Sequence, residues 1–439
     1  SYEQGNIEHE KFSKVTINAS NDYKITDYLK VGFQFNGARM LPADSKQVLN
    51  ALRATPIAPV YNDEYGLYSA LPEFQKAQIN NPMVDVSLRA NTTKAENYRA
   101  SGNIYGEVDF LKHFNFKAMF SMDYASNNGR TYLPIMKVYD DTAAGDVVTL
   151  GTGKTEVSQF KENETKVQSD YLLTYTNSFD HGNHNLTATA GFKTYYNSLS
   201  RLDGARKQGV GLVIPDDPDK WFVSIGDAAT AIINGSSGKS AYAGYVGRLN
   251  YAYDNKYLVE ASFRYDGSYL FAEGQRWGFF PSVSLGWVAS EEDFFKDLFP
   301  KIDYFKLRGS VGILGNDNVD PFLYRKLYEL NSNNVAFGTS PSSQSTLSNK
   351  VAYPMTDLTW EKCRTINLGF EMNAWNGLLG VEFDVFYKYT YDILQNITSI
   401  YPASLGGHVP TRMNDGTFDN KGFELILKHR NQISDFNYS

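Results

Sequence analysis

The sequence predicts an all-β protein, a large antiparallel β-barrel that crosses a membrane with its strands. Three observations lead to this prediction: polar and apolar side chains alternate in the hairpin at 241–266, the strands are unusually long, and the connections are alternately short and long. We expect about 13–14 strands in this chain, with short periplasmic turns at one end and long extracellular loops at the other.

The hairpin at 241–266 carries the clearest alternation. The apolar face of its second arm consists of Tyr257, Val259, Ala261, Phe263 and Tyr265. Glu260, Arg264 and Asp266 lie on the opposite face, and the pair Asp254-Asn255 favours a tight turn before them. Such a strand suits either a soluble core or a barrel whose apolar face meets lipid while its ionic face lines a wet lumen.

The other candidate strands repeat this pattern. They cover residues 11–20, 28–37, 99–110, 114–124, 165–178, 185–197, 241–253, 256–266, 279–289, 304–313, 363–373, 378–391 and 420–430, and a further strand opens near Asp435. Strands of globular proteins average about 5–6 residues, whereas a tilted strand crosses a bilayer with about 9–11. The candidate strands are therefore long enough to span a membrane.

The connections between these strands favour the membrane setting. The short ones are 21–27, 111–113, 179–184, 254–255, 290–303 and 374–377; the long ones are 38–98, 125–164, 198–240, 267–278, 314–362 and 392–419. Long loops gathered at one end are typical of outer-membrane barrels, where they can fold over the mouth. A soluble all-β array is the alternative, but it has no reason to place every long loop at one end.

The composition argues against a nucleic-acid-binding protein, a disulfide-stabilised protein and a protein with membrane-spanning helices. The net charge of −7 is spread along 439 residues, so no basic footprint for nucleic acid exists. The one cysteine, Cys363, excludes an intrachain disulfide framework, and no stretch approaches the roughly 18 apolar residues of a membrane-spanning helix. Because the chain starts at Ser1 without a signal segment and ends as a new strand opens, we expect a piece of a longer protein.

A set of short motifs follows in a fixed order along the second half of the chain. They are Lys256-Tyr257, Arg264–Ser268, Trp277–Ser284, Gly286-Trp287, Phe305–Gly312, Gly315-Asn316, Leu358–Lys362, Asn367–Gly369, Phe386–Lys388 and Asn420–Glu424. In this order and spacing they resemble the SusC/RagA family of TonB-dependent outer-membrane transporters. The resemblance is strong over residues 241–430 and looser before them.

This resemblance implies a complete barrel of about 22 strands closed by an internal plug. It also implies the outer membrane of a Gram-negative bacterium, import of large nutrients powered by TonB, and a SusD-like lipoprotein lid, often in a dimer of transporter–lid pairs. Family cargo is mostly oligosaccharide, with oligopeptides for some members. Nothing here resembles the N-terminal plug or the TonB-contacting segment, so residues 1–439 are interpreted as a partial barrel domain.

The motif residues are interpreted as mostly structural. They are Arg264, Asp266, Gly267, Trp277, Pro281, Trp287, Arg308, Gly315, Asn316, Trp360 and Glu361. We expect Arg264 and Asp266 to pair with charges of the plug or of a neighbouring strand. Pro281 suits the start of a strand, where no ladder hydrogen bond is needed. An interfacial aromatic girdle is expected from Trp277, Trp287, Phe279 and Phe280.

Binding is expected at aromatic side chains of the long loops: Tyr132, Tyr139, Trp221, Phe222, Tyr324, Phe337, Tyr353 and Tyr401. Flat aromatic faces suit sugar rings, although packing of the loops or contact with a lid explains most of these residues. The candidates for cargo contact are Tyr139, Trp221, Phe222, Tyr324 and Tyr353. Trp221, beside the acidic turn at Asp216–Asp219, is the first candidate for contact with cargo or a partner.

No enzyme is expected, because no catalytic motif occurs. The run Gly151–Thr155 lacks the first glycine and the helix of a phosphate-binding loop, and His181 with His184 is a weak metal signal. Loop calcium is conceivable at two acidic groups, but solvated acids explain them more simply. These groups are Asp216, Asp217 and Asp219, and Asp140, Asp141 and Asp146. The competing function classes are a non-transporting receptor or adhesin and a soluble carbohydrate-binding array.

Overall fold

The computed structural model consists mostly of β-strands, and it describes residues 1–7, 10–43, 48–76, 79–143, 146–337, 342–351, 353–397, 401–402, 404, 409–433 and 436–438. In chain order, its strands are β1 Tyr2–Gln4, β2 Lys11–Lys24, β3 Leu29–Leu41, β4 Tyr61–Asn62, β5 Leu67–Tyr68, β6 Thr93–Phe110, β7 Phe114–Leu133, β8 Met136–Tyr139, β9 Val147–Leu150, β10 Glu156–Phe179, β11 His184–Lys207, β12 Ile232–Tyr253, β13 Tyr257–Ser268, β14 Trp277–Val288, β15 Ile302–Asn316, β16 Leu327–Phe337, β17 Ser342–Val351, β18 Glu361–Ala374, β19 Leu379–Asn396, β20 Arg412–His429, β21 Asn431–Ile433 and β22 Phe436–Tyr438.

Three short α-helices interrupt the strands. They are α1 Val48–Arg53, α2 Glu73–Lys76 and α3 Asp293–Leu298. Within the described ranges, no helix has both the length and the apolar character needed to cross a bilayer.

One antiparallel sheet of 14 strands dominates, in the order β1-β2-β3-β6-β7-β10-β11-β12-β13-β14-β15-β18-β19-β20. Each strand of this sheet pairs with the next sheet strand along the chain. The other described strands form two-stranded hairpins, three in the loops and one after β20. The all-β prediction is therefore confirmed. In the described part of the chain the sheet is open, with β1 at one edge and β20 at the other.

Several tight turns at the end of the sheet with short connections contain two consecutive residues in the left-handed conformation. Asp254 and Asn255, which join β12 to β13, have φ of 50° and 51°. Paired left-handed residues also occur at Leu111-Lys112, Asp180-His181 and Trp375-Asn376. Left-handed pairs give a turn the twist that antiparallel strands need, and Asp and Asn tolerate this conformation well.

All thirteen predicted strands are present, but the structure extends most of them at the long-loop end. The strand predicted at 165–178 runs from Glu156 to Phe179, and its partner predicted at 185–197 continues to Lys207. The strand expected near Asp435 is different. Asp435 itself lies outside the described residues, and β22 pairs only with β21 in a small hairpin apart from the main sheet.

The two faces of the sheet differ in chemistry, because laterally paired residues place their side chains on the same face. One lateral row is apolar across eight strands: Leu186, Tyr251, Val259, Leu285, Gly309, Leu368, Val385 and Phe423. We call this side the apolar face. Most of its large side chains are exposed, as expected for a surface that meets lipid.

The opposite side, the polar face, carries ion pairs between strands. Arg308 on β15 contacts Glu371 on β18 at 3.1 Å and Asp384 on β19 at 2.5 Å. Lys193 contacts the buried Asp170 at 3.2 Å across β10 and β11. These pairs satisfy charges that line a wet interior and fix the register of their strands.

Candidate functional site at the loop end of the sheet

The loops beyond β13 to β19 are held by a hydrophobic core, which we call the Phe280 cluster. Its buried members are Phe271, Phe280, Val319, Met355, Leu358 and Trp360. The ring of Phe280 lies 5.2 Å from that of Trp360, nearly edge to face, and Phe271 is 5.5 Å from the same tryptophan. The loop between β13 and β14 and the long loop between β15 and β18 therefore share one core at the mouth of the sheet.

Two glycines make space for the Phe280 ring. A Cβ atom at Gly315 would lie 2.1 Å from this ring, and one at Gly278 would lie 2.3 Å from it. The ladder between β14 and β15 begins at Ser282, directly after Pro281. Pro281 therefore lies just beyond the last pair of this ladder, where β14 and β15 separate and the Phe280 ring inserts.

Hydrogen bonds tie this cluster to the strands. The Trp360 indole N–H donates to the Arg276 carbonyl oxygen at 2.9 Å, and the Ser268 hydroxyl donates to Asp317 at 2.7 Å. Asn414, which no sequence motif singled out, donates to the carbonyl oxygens of Thr359 and Asp392. The Asn316 amide lies 3.5 Å from Glu361.

The prediction that Phe280 belongs to the aromatic girdle is wrong. Phe280 is 7% exposed and lies on the polar face, opposite Arg264, because adjacent strand residues point to opposite faces. Trp277 and Phe279 are exposed on the apolar face, where Trp277 stacks on Tyr265 with ring centroids 4.9 Å apart.

Other motif residues have clear local roles. Gly267 pairs with Trp277, whose ring lies 2.9 Å from the position of a Cβ atom at Gly267. The indole N–H of Trp287 donates to Glu292 at 3.3 Å near the short-turn end of β14.

Arg264 and Asp266 form an ion pair within a single strand. The guanidinium of Arg264 donates to both carboxylate oxygens of Asp266, at 2.7 and 3.0 Å. The expected pairing with a neighbouring strand is therefore wrong within the described structure, because two residues on one face of a strand are close enough for a two-pronged bond.

Trp221 lies in a second core, the Trp221 cluster, composed of Tyr132, Val157, Ile214 and Trp221. Trp221 is 0% exposed and stacks on Tyr132 with 5.6 Å between ring centroids. The structure therefore contradicts the expectation that Trp221 contacts cargo. The loop between β11 and β12 uses the tryptophan to pack on β7 and β10.

The register shows which side of the sheet this loop covers. Tyr132 has the same strand parity as the exposed Phe116, Phe120 and Tyr124 of β7, so it lies on the apolar face. The loop folds against the outer side of the strands, and not over the mouth. Phe222, 44% exposed, lies on this side too, 4.4 Å from the guanidinium of Arg130. Sequence alone does not reveal which way a loop folds.

The remaining aromatic candidates lie in different loops. Tyr139 on β8 is 4.9 Å from the ring of Tyr65. Tyr324 is half-buried and Tyr353 is exposed, and their segments are joined by a hydrogen bond from the Met355 N–H to the Leu323 carbonyl oxygen. The structure thus brings Tyr324 and Tyr353 into the loops of the Phe280 cluster.

The acidic turn beside Trp221 is neutralised by lysines. Asp217 contacts Lys220 at 3.1 Å, and Asp219 lies 3.4 Å from Lys94. The backbone N–H of Asp219, followed by the Lys220 ammonium, lowers the pKa of Asp217. Across the described ranges, no three His, Cys, Asp or Glu side chains gather closely enough to hold a metal ion.

The polar face contains a groove of about 540 Å³. Its polar lining includes Asn250, Glu260, Lys306, Arg308, Asn367 and Asp384. Charged groups of both signs and amides suit a polar protein surface or hydroxyl-rich cargo.

Comparison with known proteins identifies the architecture. A family model described as "TonB dependent receptor-like, beta-barrel" matches residues 17–439. The chain belongs to this family. As a member of the TonB-dependent receptor barrels, it has an apolar face that corresponds to the outside of the barrel and a polar face that corresponds to the lumen.

Individual relatives agree with this family. TonB-dependent receptor P26 of Formosa agariphila is 26% identical over 447 residues, covering 99% of this chain and 42% of the relative. TonB-dependent receptor SusC of Bacteroides thetaiotaomicron is 34% identical over 190 residues, 43% of this chain and 18% of SusC. The SusC/RagA resemblance is confirmed.

The fold also matches a solved structure. The RagAB peptide importer in its 'open-open' state superposes with a TM-score of 0.77 at 19% identity, covering 98% of this chain and 45% of that one. The chain thus spans less than half of the length of these relatives.

Proposed function

We propose that the protein is the barrel portion of an outer-membrane importer, energised by TonB, that takes up oligosaccharides or other large nutrients. The observation that carries the proposal is the family match over residues 17–439, on a sheet with one apolar and one ionic face. The SusC and RagAB relatives are the basis for import as the activity.

A SusD-like surface lipoprotein is the proposed partner, as a lid over the mouth, and pairs of transporter and lid are proposed to dimerise. The relatives named SusC and RagAB support this proposal. The Phe280 cluster supports it physically, because it holds two long loops together in a packed platform that a lid can contact. Energy coupling requires a plug and a TonB-contacting segment elsewhere in the full-length protein.

Cargo is proposed to be oligosaccharide, with oligopeptide as the second candidate because of the likeness to the RagAB peptide importer. Among the predicted contacts, Tyr353 is the side chain best placed for stacking, since it is exposed within the loops of the Phe280 cluster. An aromatic ring serves sugar and peptide alike, so direct measurement must separate the two cargo classes.

The deciding experiment is purification of the full-length protein from native outer membranes in mild detergent, followed by mass spectrometry. We expect a lipoprotein lid, plug peptides from the same reading frame and a bound glycan. A bound peptide instead would favour the second candidate. A protein that is purified without plug or lid would contradict active import and favour a receptor or pore.

Uptake of the identified cargo then tests Tyr353. We expect Tyr353→Ala to weaken cargo binding by about tenfold, since stacking on an aromatic ring contributes on the order of 1 kcal/mol or more. Tyr353→Phe is the matched control, because it keeps the ring. Equal uptake by both variants would remove Tyr353 from the binding site.

A further inference from the structure

The outer ends of five central strands carry a charge asymmetry that transport does not explain. These rim segments are residues 93–98, 125–133, 156–164, 198–207 and 232–240. On their apolar-face side stand five cations and one carboxylate: Lys94, Arg130, Lys161, Arg206, Lys239 and Glu96. On the lumen side the acids outnumber the cations: Glu156, Glu162, Glu164 and Asp203 against Arg201 and Lys207.

The register establishes the outward side without ambiguity. Lys94 pairs with Arg130, and Asn128 pairs with Lys161, in ladders that continue without a shift to the exposed Phe116 and Phe120. Side chains that alternate from lipid-facing positions stay on the same face along the strand. The cations therefore lie on the outward side of the sheet. Cargo passes through the lumen, so these cations do not meet it.

Three of these cations line a cavity of about 850 Å³ on the outward side. Lys94, Arg130 and Lys161 share it with the exposed apolar side chains of Leu202 and Ile233. Phe222 completes the lining, with its ring 4.4 Å from the Arg130 guanidinium. Cations beside exposed apolar side chains suit an amphiphile with an anionic head.

The cations are largely available to a ligand. Lys161 is exposed and has no ion pair within the described ranges, and Arg130 is half-buried, with its Nη1 atom closed off from solvent. Lys94 contacts only the well-exposed Asp219, at 3.4 Å.

The acids near the cavity are already engaged. Glu96 accepts hydrogen bonds from Arg39 at 2.9 Å and from the Tyr98 hydroxyl at 2.6 Å. Asp203 borders the cavity, but its side chain is on the lumen side, where the Arg201 guanidinium holds it at 2.7–3.0 Å. Both carboxylates therefore have hydrogen-bonded cationic partners other than Arg130 and Lys161.

The distance of the cavity from the lipid-facing part of the strands indicates which kind of anionic lipid headgroup can reach it. Tyr124 is the last large aromatic of the lipid-facing run on β7, and Arg130 follows six residues later. At about 3.4 Å per residue and a tilt of about 40°, Arg130 lies roughly 15 Å beyond Tyr124. A phospholipid headgroup layer is only about 5–8 Å thick, so a head extended by sugars fits better.

We propose that this outward cavity binds the phosphorylated saccharide headgroup of a glycolipid in the outer leaflet around the barrel. Arg130 and Lys161 contact phosphate, and Leu202 and Ile233 pack against the apolar C–H faces of its sugar rings. The site rests on the proposed outer-membrane location but not on any particular cargo. It would fix the barrel to its annular lipid at the level where the β11–β12 loop packs.

The test uses the full-length protein in detergent with a purified, short-chain lipopolysaccharide as the probe, measured by native mass spectrometry. We expect Arg130→Gln with Lys161→Gln to weaken binding by about tenfold or more, because charge-assisted hydrogen bonds are lost. Lys166→Gln is the matched control: Lys166 is on the same strand, but it faces the lumen beside Glu164 at 2.9 Å.

Two further arms identify the ligand. Dephosphorylated lipopolysaccharide should bind as weakly to the unaltered protein as intact lipopolysaccharide binds to the double variant, and millimolar inorganic phosphate should not displace the intact lipid. Equal binding of both lipids, or equal loss in Lys166→Gln, would overturn the proposal, as would displacement by inorganic phosphate alone. Cargo uptake is measured separately, so a failed importer hypothesis is distinguishable from a failed lipid site.

Discussion

At the scale of single residues, Gly315 and Gly278 matter because they have no side chain. The ring of Phe280 occupies the position that a side chain at Gly315 or Gly278 would need. The rest of the Phe280 cluster packs around that ring, so the absence of a side chain at these two glycines determines where the β13–β14 and β15–β18 loops meet. This dependence makes Gly315 a sharp test of the described packing.

We expect Gly315→Ala to destabilise the loop core by about 1–3 kcal/mol, because the added methyl group forces the Phe280 ring out of place. The measurement is the thermal midpoint of the full-length protein together with the rate of protease cleavage in the loops. Gly238→Ala is the control, since a Cβ atom there meets nothing within 4 Å. Equal cleavage rates in the two variants would contradict the packing.

Residues of the site were only partly predictable. Gly315, Trp360 and Pro281 stand out as motifs, but a motif does not say which ring fills the space beside a glycine. Adjacent strand residues point to opposite faces, so the sequence alone is enough to exclude Phe280 from a girdle that contains Phe279. The burial of Trp221 is not predictable in this way, because it depends on the direction in which a loop of more than twenty residues folds.

At the scale of the strand, the alternation of polar and apolar residues depends on what surrounds the two faces of the strand, and not on whether the backbone is extended. The short-turn ends of the strands were predicted closely, since lipid on one side and water on the other impose the period of two. Glu156–Glu164 of β10 lack this pattern because water reaches both faces above the membrane. The alternation of polar and apolar residues therefore ends where both faces meet water, although the backbone hydrogen bonds between the strands continue.

Strand β13 allows the facing assignment to be tested with two adjacent residues. We expect Phe263→Asp to impair barrel assembly, because a carboxylate on the lipid side costs roughly 2–3 kcal/mol. Ser262→Asp should be tolerated, since Ser262 faces the lumen opposite Arg248. Heat-modifiable mobility in gels gives the folded fraction of each variant. Normal folding of Phe263→Asp would reverse the assignment of faces.

At the scale of the whole molecule, the open sheet is the main constraint. A row of unpaired backbone groups is not tolerated in lipid, so the outer edges of β1 and β20 must be paired in the inserted protein. We expect further strands of the full-length protein to provide that pairing. The structure of the described chain alone leaves β20 paired only with β19.

Hydrogen exchange on the full-length protein in detergent tests this pairing. Nearly every amide of Arg412–His429 should exchange slowly, on both edges of the strand. The matching reference is β19, which is paired on both sides in the described sheet. If alternate amides of β20 exchange much faster than those of β19, the edge is free and a closed barrel is contradicted.

The sequential strand order also has a consequence for biogenesis. Because every strand of the main sheet pairs only with its neighbours along the chain, no strand has to enter between two strands that are already joined. The sheet can grow one hairpin at a time, with local turns such as Asp254-Asn255 setting each register before the next hairpin arrives. During assembly in the membrane, the advancing edge moves on with each hairpin, while the outer edge of the first strand stays in place and needs protection until the barrel closes.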